Sequence, residues 1–122
     1  RLSLKDVNLI AYTDLNGLLG MLVEFSAKYG ISADESGAHA GESETSFVLA
    51  IRKDLVNMER AEVGFLGSID DKIELIWSQG IKAVTKNGVL GDPRKAEAGK
   101  GEEYLELWAE KMVDFVRKRI AI

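Results

Sequence analysis

Residues 7–30, VNLIAYTDLNGLLGMLVEFSAKYG, contain the two elements that decide the predicted fold. Val7–Tyr12 is a short apolar run, partly β-branched, and this composition is typical of a buried strand. Asp14 or Asn16 can cap a helix directly after it, and Gly30 would end that helix. A strand followed directly by a helix is an α/β unit, in which functional groups tend to lie where the strands end.

The rest of the chain offers few strands to complete a sheet. Ile73–Trp77 and Ile81–Thr85 are interpreted as two short strands, with Ser78–Gly80 as the turn between them. A parallel sheet needs several strands that are buried on both faces, and each strand edge needs a neighbour. We therefore expect that other chains supply the missing strands or that this chain is a piece of a longer polypeptide. A start at Arg1, without an initiator Met, fits the second expectation, as it would also fit a removed tag or a processed start.

Two further helices follow from the spacing of apolar residues. A helix is predicted over Ser43–Lys53, where Phe47, Ala50 and Ile51 fall on one face. A longer amphipathic helix is predicted over Ala96–Arg119, with acidic residues near its start and basic residues near its end, as the helix dipole favours. Its apolar residues recur three and four positions apart: Leu105, Trp108, Met112, Phe115, Val116 and Ile120.

Composition excludes several classes of function. The 122 residues suffice for one domain, and 46% hydrophobic and 30% charged residues are ordinary for a soluble globular protein. A net charge of −4 gives no electrostatic signature for nucleic acid or an anionic membrane surface. No apolar run reaches the roughly 18 residues that a membrane span needs, and no signal peptide opens the chain. We expect a cytoplasmic protein with neither nucleic-acid nor membrane partners.

The chain has no cysteine and one histidine. Disulfides, thiolate catalysis and cysteine-based zinc sites are therefore excluded, and so is a closed His/Cys zinc site within this chain. Any metal that the chain held alone would need carboxylates or backbone oxygens. The motifs of an α/β-hydrolase serine, a phosphate-binding loop and an H-E-x-x-H zinc site are also missing from the sequence.

The segment HAGESETS, His39–Ser46, contains the candidate chemistry. The small side chains of Ala40 and Gly41 allow the backbone and the imidazole to approach a ligand closely. A helix that begins near Ser43 offers free N–H groups and a positive dipole end to an anion or a polarised carbonyl. Histidine titrates near neutrality and can take and return a proton during hydrolysis, but it cannot by itself bind a metal or supply a nucleophile.

Each of these residues also has a structural interpretation. His39 can be a solvated or structural imidazole, and Ser43 and Ser46 can be an N-cap and a hydroxyl of the first helical turn. Glu42 and Glu44 can be acids that the helix dipole favours near a helix start. The residues alone leave both interpretations open.

Several stretches of the chain resemble the creatininase family in its C-terminal half. His39–Ser46 is similar to the family's H-[AG]-G-x-x-E-T-S segment, which leads into a helix. Gly88–Pro93 resembles its G-V-x-G-D-P turn, and Ala96–Glu102 resembles the A-x-x-x-K-G-E start of its last helix. Asp54–Val56 and Arg60–Ala61 match the usual continuation after the first segment. The likeness covers nearly the whole chain and keeps the family's order.

This resemblance implies a partial three-layer α/β fold with a mostly parallel sheet, in which Val7–Tyr12 is the strand before the catalytic loop. A missing N-terminal half or a partner chain would complete the sheet. The resemblance also implies a homo-oligomer and a binuclear centre of a divalent metal, Zn, Mn or Fe, in the full-length protein. There, a metal-bridging water attacks an amide, formamide or lactam bond of a small-molecule substrate. His39 matches the family's proton relay, and Glu44 matches either a metal ligand or an acid that orients the ligands.

The chain also departs from the family pattern. The family's main ligands lie upstream, in an E-x-H motif, a following Asp and an N-G-H motif, none of which is in this chain. The chain alone is therefore expected to bind no metal and to be inactive. Thr13 and the Glu35–Ser36 region hold the places of two substrate-binding tryptophans, which argues against creatinine as the substrate. Two alternatives remain: a non-catalytic binding or scaffold domain that keeps the fold without the metal centre, and one subunit of a split enzyme.

Overall fold

The computed structural model describes residues 9–120, and helices make up the regular structure of this part of the chain. It has five α-helices: α1 (Leu15–Ala27), α2 (Ala33–Ser36), α3 (Glu42–Arg52), α4 (Ile73–Gln79) and α5 (Ala98–Ile120). Short 3₁₀ turns lie between them, at Lys53–Leu55, Met58–Arg60, Asp70–Lys72, Ile81–Ala83 and Pro93–Lys95. None of the helices in the described range is long and apolar enough to cross a membrane.

The predicted α/β fold with a mostly parallel sheet is wrong for residues 9–120, which contain no strand. The β-type pairing in this range is an isolated antiparallel bridge between His39 and Leu90. Residues 9–12 of the predicted first strand have no regular structure, and Val7 and Asn8 lie outside the described residues. A strand is stable only when its edges are paired, and the two other segments predicted as strands instead contain a helix and a 3₁₀ turn.

The predicted strands Ile73–Trp77 and Ile81–Thr85 are wrong for a local reason. The first lies within α4, which follows the acidic turn Asp70–Lys72 and ends at Gly80, where φ is 81°. Acidic residues before a helix and a glycine in the left-handed region after it are helix boundary signals. A short apolar run fits a strand or a helix equally well, so these boundary residues decide. The second segment begins with a 3₁₀ turn.

The three helices that the sequence predicted, α1, α3 and α5, are confirmed, with small shifts at their ends. Asp14 caps α1, since its carboxylate accepts a hydrogen bond from the Gly17 N–H at 2.8 Å. The helix ends at Ala27, and a turn continues to Gly30. Both later helices begin within two residues of the predicted position, α3 at Glu42 and α5 at Ala98.

Helices α1, α3 and α5 pack around one small core. Its buried residues are Met21, Leu22, Phe25, Phe47 and Tyr104. Phe47 of α3 contacts rings of α5, with its centroid 5.2 Å from that of Trp108 and 6.0 Å from that of Tyr104. The backbones of α3 and α5 also touch, because a Cβ atom at Gly101 would lie 1.9 Å from the Ser46 carbonyl oxygen.

Gly101→Ala should therefore separate α3 from α5. We expect it to lower the free energy of unfolding by about 2–3 kcal/mol, because the added methyl group meets backbone rather than a movable side chain. Gly99→Ala is the matched control in the same helix, since a Cβ atom there has no neighbour within 4 Å. It should raise stability by about 0.5 kcal/mol through helix propensity. Urea denaturation of both variants measures the difference, and equal effects would contradict the close contact.

An ion pair connects α2 to the turn before α5. The Lys95 ammonium donates to Glu35 Oε1 at 2.5 Å, and the Ser32 N–H donates to Glu35 Oε2 at 2.9 Å. The hydrogen bond from Lys95, followed by those from the Ser32 N–H and hydroxyl, lowers the pKa of Glu35 from 4.5 to about 2. The charged form of Glu35 is thus favoured in the folded chain.

Glu35→Gln should destabilise the chain in a pH-dependent way. Because the pKa of Glu35 is lowered on folding, its stabilising contribution is complete above pH 4.5 and is lost as the pH falls towards 2. We expect a loss of about 1–2 kcal/mol at pH 7, a modest value because the Lys95 side chain is half exposed to solvent. Urea denaturation between pH 7 and pH 3 should show the difference from the unmodified chain shrinking.

The control is Glu106→Gln, which changes an exposed acid on α5 for which the described residues give no ion pair. This variant should show little change in stability at either pH. If the Glu35 and Glu106 variants had the same pH dependence, the ion pair would not be the cause.

Candidate active site

His39 lies in the loop between α2 and α3, and its backbone is held while its side chain is exposed. The Leu90 N–H donates to the His39 carbonyl at 2.8 Å, and the His39 N–H donates to the Leu90 carbonyl at 3.3 Å. The Ala38 N–H donates to the same Leu90 carbonyl at 2.9 Å. The imidazole is therefore accessible to solvent on a fixed main chain.

The His39 loop, residues 37–41, is in close backbone contact with the turn at Gly88–Pro93. A Cβ atom at Gly37, whose φ is 73°, would lie 2.0 Å from the Leu90 carbonyl oxygen. At Gly91, whose φ is 146°, it would lie 2.8 Å from the Gly41 Cα atom. Glycine is required at both positions, because each combines a left-handed φ with a close approach of backbone. The two motifs that resembled the family separately thus form one structure.

Glu44 stabilises an uncommon backbone conformation next to His39. Ala40 has a φ of 51°, which few non-glycine residues adopt, and its N–H donates to Glu44 Oε2 at 2.6 Å. The carboxylate of Glu44 is exposed in the first turn of α3. The structure thus connects the predicted acid to the backbone of the predicted proton relay.

His39 and Glu44 line the same surface cleft, whose volume is about 450 Å³. The lining also includes the exposed apolar side chains of Val48 and Leu55. The other lining residues are Ala40, Thr45, Val56 and Asn57. The cleft can therefore hold a ligand that presents both a polar group and an apolar group.

Metal binding needs more ligands than these two side chains. Within residues 9–120, no three His, Asp or Glu side chains are grouped so that they could hold a metal ion. The donor set in this part of the chain therefore does not fit a binuclear centre. The assignment of Glu44 as a metal ligand or an orienting acid, and that of His39 as a proton relay, remain predictions.

Glu42 is fully buried and hydrogen-bonded, a role that was not predicted from the sequence. Its carboxylate accepts from the Ser26 and Ser46 hydroxyls, each at 2.9 Å, and from the Tyr104 hydroxyl at 3.2 Å. The Tyr104 phenol is protonated at neutral pH and can donate, and burial raises its pKa still further above the ordinary value. One signal was available: Glu42 lies four and seven residues before Ser46 and Leu49, and thus on the buried face of α3.

Comparisons with known proteins agree with the motif resemblance. The model of the family described as "Creatininase: Creatinine amidohydrolase" matches residues 13–116. The mycofactocin precursor peptide peptidase of Mycolicibacterium smegmatis is 31% identical over 87 residues, which cover 71% of this chain and 35% of that protein. The protein of the same name from Mycobacterium ulcerans is 38% identical over 84 residues, which cover 69% of this chain and 32% of that protein. No solved structure matches.

The alignments cover most of this chain but only a minor part of each curated relative. The aligned part spans about a third of the length of the curated relatives, 35% and 32% in the two cases. The family model, by contrast, covers most of the 122 residues, including the His39 loop, the Gly88–Pro93 turn and most of α5. The chain therefore belongs to the creatininase family.

Proposed function

We propose that this chain forms the proton-transfer side of a metal-dependent amidohydrolase site, whose substrate contains a C–N amide bond. The observation that supports this most directly is the cleft shared by His39 and Glu44. The relatives are named as peptidases of a precursor peptide, which favours a peptide amide over a lactam or a formamide. A chain that spans about a third of those relatives would supply part of such a site.

His39 is the proposed proton relay. The backbone N–H and carbonyl of His39 are both bonded to Leu90, so the imidazole can reorient only by side-chain rotation. An exposed imidazole on a fixed backbone can take a proton from an attacking water and give it to a leaving nitrogen. The apolar side chains of Val48 and Leu55 lower the local polarity once a substrate covers them, which strengthens electrostatic interactions there.

The metal ligands would come from residues other than those described. His39 and Glu44 are too few to hold the centre that the family implies. Glu44 already accepts a hydrogen bond from the Ala40 N–H through Oε2, which supports an orienting role over direct ligation. We propose that Glu44 holds the conformation of the His39 loop.

His39→Ala should remove the proton relay. The test uses this chain joined to a segment that carries the family's upstream E-x-H and N-G-H ligands, because hydrolysis requires the metal centre. We expect kcat for a peptide amide to fall by about 10²–10⁴-fold, the usual contribution of general acid–base catalysis, with unchanged metal content. The His39→Gln variant, which keeps polarity and similar size, should be equally slow. A rate within twofold of the unmodified protein would exclude this role for His39.

Glu44→Gln separates the two roles of the acid. A glutamine oxygen can still accept from the Ala40 N–H, whereas a metal ligand would lose its negative charge. If Glu44 orients the loop, the Gln variant should retain metal and most of its activity, while Glu44→Ala should lose about tenfold in kcat. Metal analysis of both purified variants measures this directly. Loss of metal from the Gln variant would show instead that Glu44 is a ligand.

A further inference from the structure

We propose that Glu42 is a positioning residue, whose buried carboxylate fixes the two ends of the His39 loop. The relevance of the loop to catalysis rests on the proposed function. The effect of Glu42 on the loop itself depends only on the contacts among Ser26, Ser36 and Glu42.

The carboxylate of Glu42 connects three helices. Glu42 is the first residue of α3, and its donors are Ser26 on α1, Ser46 on α3 and Tyr104 on α5. All of these side chains are fully buried, and the described residues give Glu42 no cationic partner. A buried carboxylate without a cation is stable only if its oxygens are well hydrogen-bonded, so these three hydroxyls are required.

The hydroxyl protons in this network have one consistent direction. The Ser46 Oγ accepts from the Glu97 N–H at 3.1 Å and can direct its own proton to Glu42. The Ser26 and Ser36 hydroxyls lie 3.0 Å apart, so Ser36 can supply the proton between them while Ser26 donates to Glu42. A carboxylate accepts all the converging protons, whereas a carboxamide would direct an NH₂ group at one of the donors.

Ser26 contacts the residues on both sides of the His39 loop. Ser36 directly precedes loop residues 37–41, and Glu42 directly follows them. The Ser26 Oγ lies 3.0 Å from the Ser36 hydroxyl and 2.9 Å from Glu42 Oε2, so one atom of α1 holds both ends. The Ser43 hydroxyl adds a further bond to the Ser36 carbonyl at 3.4 Å. Because its ends are held together, the loop keeps the separation at which His39 pairs with Leu90.

A residue that only stabilises the core would act differently. Loss of core packing lowers the protection of all amides that exchange through global unfolding, wherever they lie. Loss of the Glu42 network should instead loosen residues 38–40 more than α5. The amides of Ala38, His39 and Ala40 are all hydrogen-bonded, so their exchange with solvent reports opening of the loop.

The experiment measures amide hydrogen exchange and ¹H–¹⁵N NMR spectra of the 122-residue chain. In Glu42→Gln, we expect protection at His39 and Ala40 to fall at least tenfold more than protection at Trp108 in α5. The single histidine gives one set of imidazole signals, and these should shift in the same variant. Met21→Ala is the control for general destabilisation, since Met21 is a core residue of α1 and takes no part in the hydrogen bonds to Glu42. It should lower protection at Trp108 at least as much as at the loop.

Two further variants keep the test decisive if Glu42→Gln does not fold. Ser26→Ala removes the atom that contacts both ends of the loop, and Tyr104→Phe removes only the bond to α5. We expect Ser26→Ala to loosen the loop several-fold more than Tyr104→Phe does. Uniform loss of protection in every variant, or a larger loop effect in Tyr104→Phe, would overturn the proposal. This measurement does not depend on hydrolysis, so it can fail or succeed independently of the rate measured for His39→Ala.

Discussion

The backbone contact between the His39 loop and the Gly88–Pro93 turn leaves no room for a side chain at Gly37 or Gly91. At such a distance, the two segments can shift only together. The paired hydrogen bonds between His39 and Leu90 then fix which loop residue faces the turn. The side chains of the candidate site follow from this arrangement, because both His39 and Glu44 are attached to backbone that it holds.

The packing of α3 transmits this constraint to the rest of the domain. The start of α3 is held by the hydrogen bonds of Glu42, its middle by the backbone contact at Gly101, and its apolar face by Phe47 against Trp108. These contacts differ in kind: a polar network, a close backbone approach and ring packing. A helix held in all three ways has little freedom to slide or rotate, since each contact holds a different part of the helix.

Local signals in the sequence predicted the helices and the position of the candidate site, but not the fold class. The Asp14 cap and the apolar spacing in α5 depend on neighbouring residues, so they can be recognised from the sequence without tertiary structure. The run at Ile73–Trp77 is ambiguous by itself, and it is the acidic turn before it and Gly80 after it that indicate a helix. A sheet depends on pairing between distant segments, which a pattern within one segment does not specify.

The hydrogen-bond network of Glu42 could not be predicted from the sequence for a different reason. Its motif position suggested an acid that the helix dipole favours near a helix start, and its partners Ser26 and Tyr104 are 16 and 62 residues away. Only the packing of three helices brings those hydroxyls together, and hydroxyl residues are too common for their positions to predict such a network. The consequence is a division of roles among three acids of one short region. Glu35 connects α2 to the turn before α5, Glu42 holds the ends of the loop, and Glu44 bonds the loop backbone at the cleft.

The open cleft sets a physical condition on the proposed chemistry. Leu55 and Ile51 are 66% and 64% exposed, and Leu55 lines the cleft that contains His39. Proton transfer and carbonyl polarisation are strongest where water is excluded, and an apolar wall excludes water only when another surface covers it. Under the proposed function, the segment that supplies the metal ligands therefore has two tasks. It must place those ligands within reach of His39, and it must cover the apolar side of the cleft, so ligand motifs without a covering surface would give a weaker catalyst.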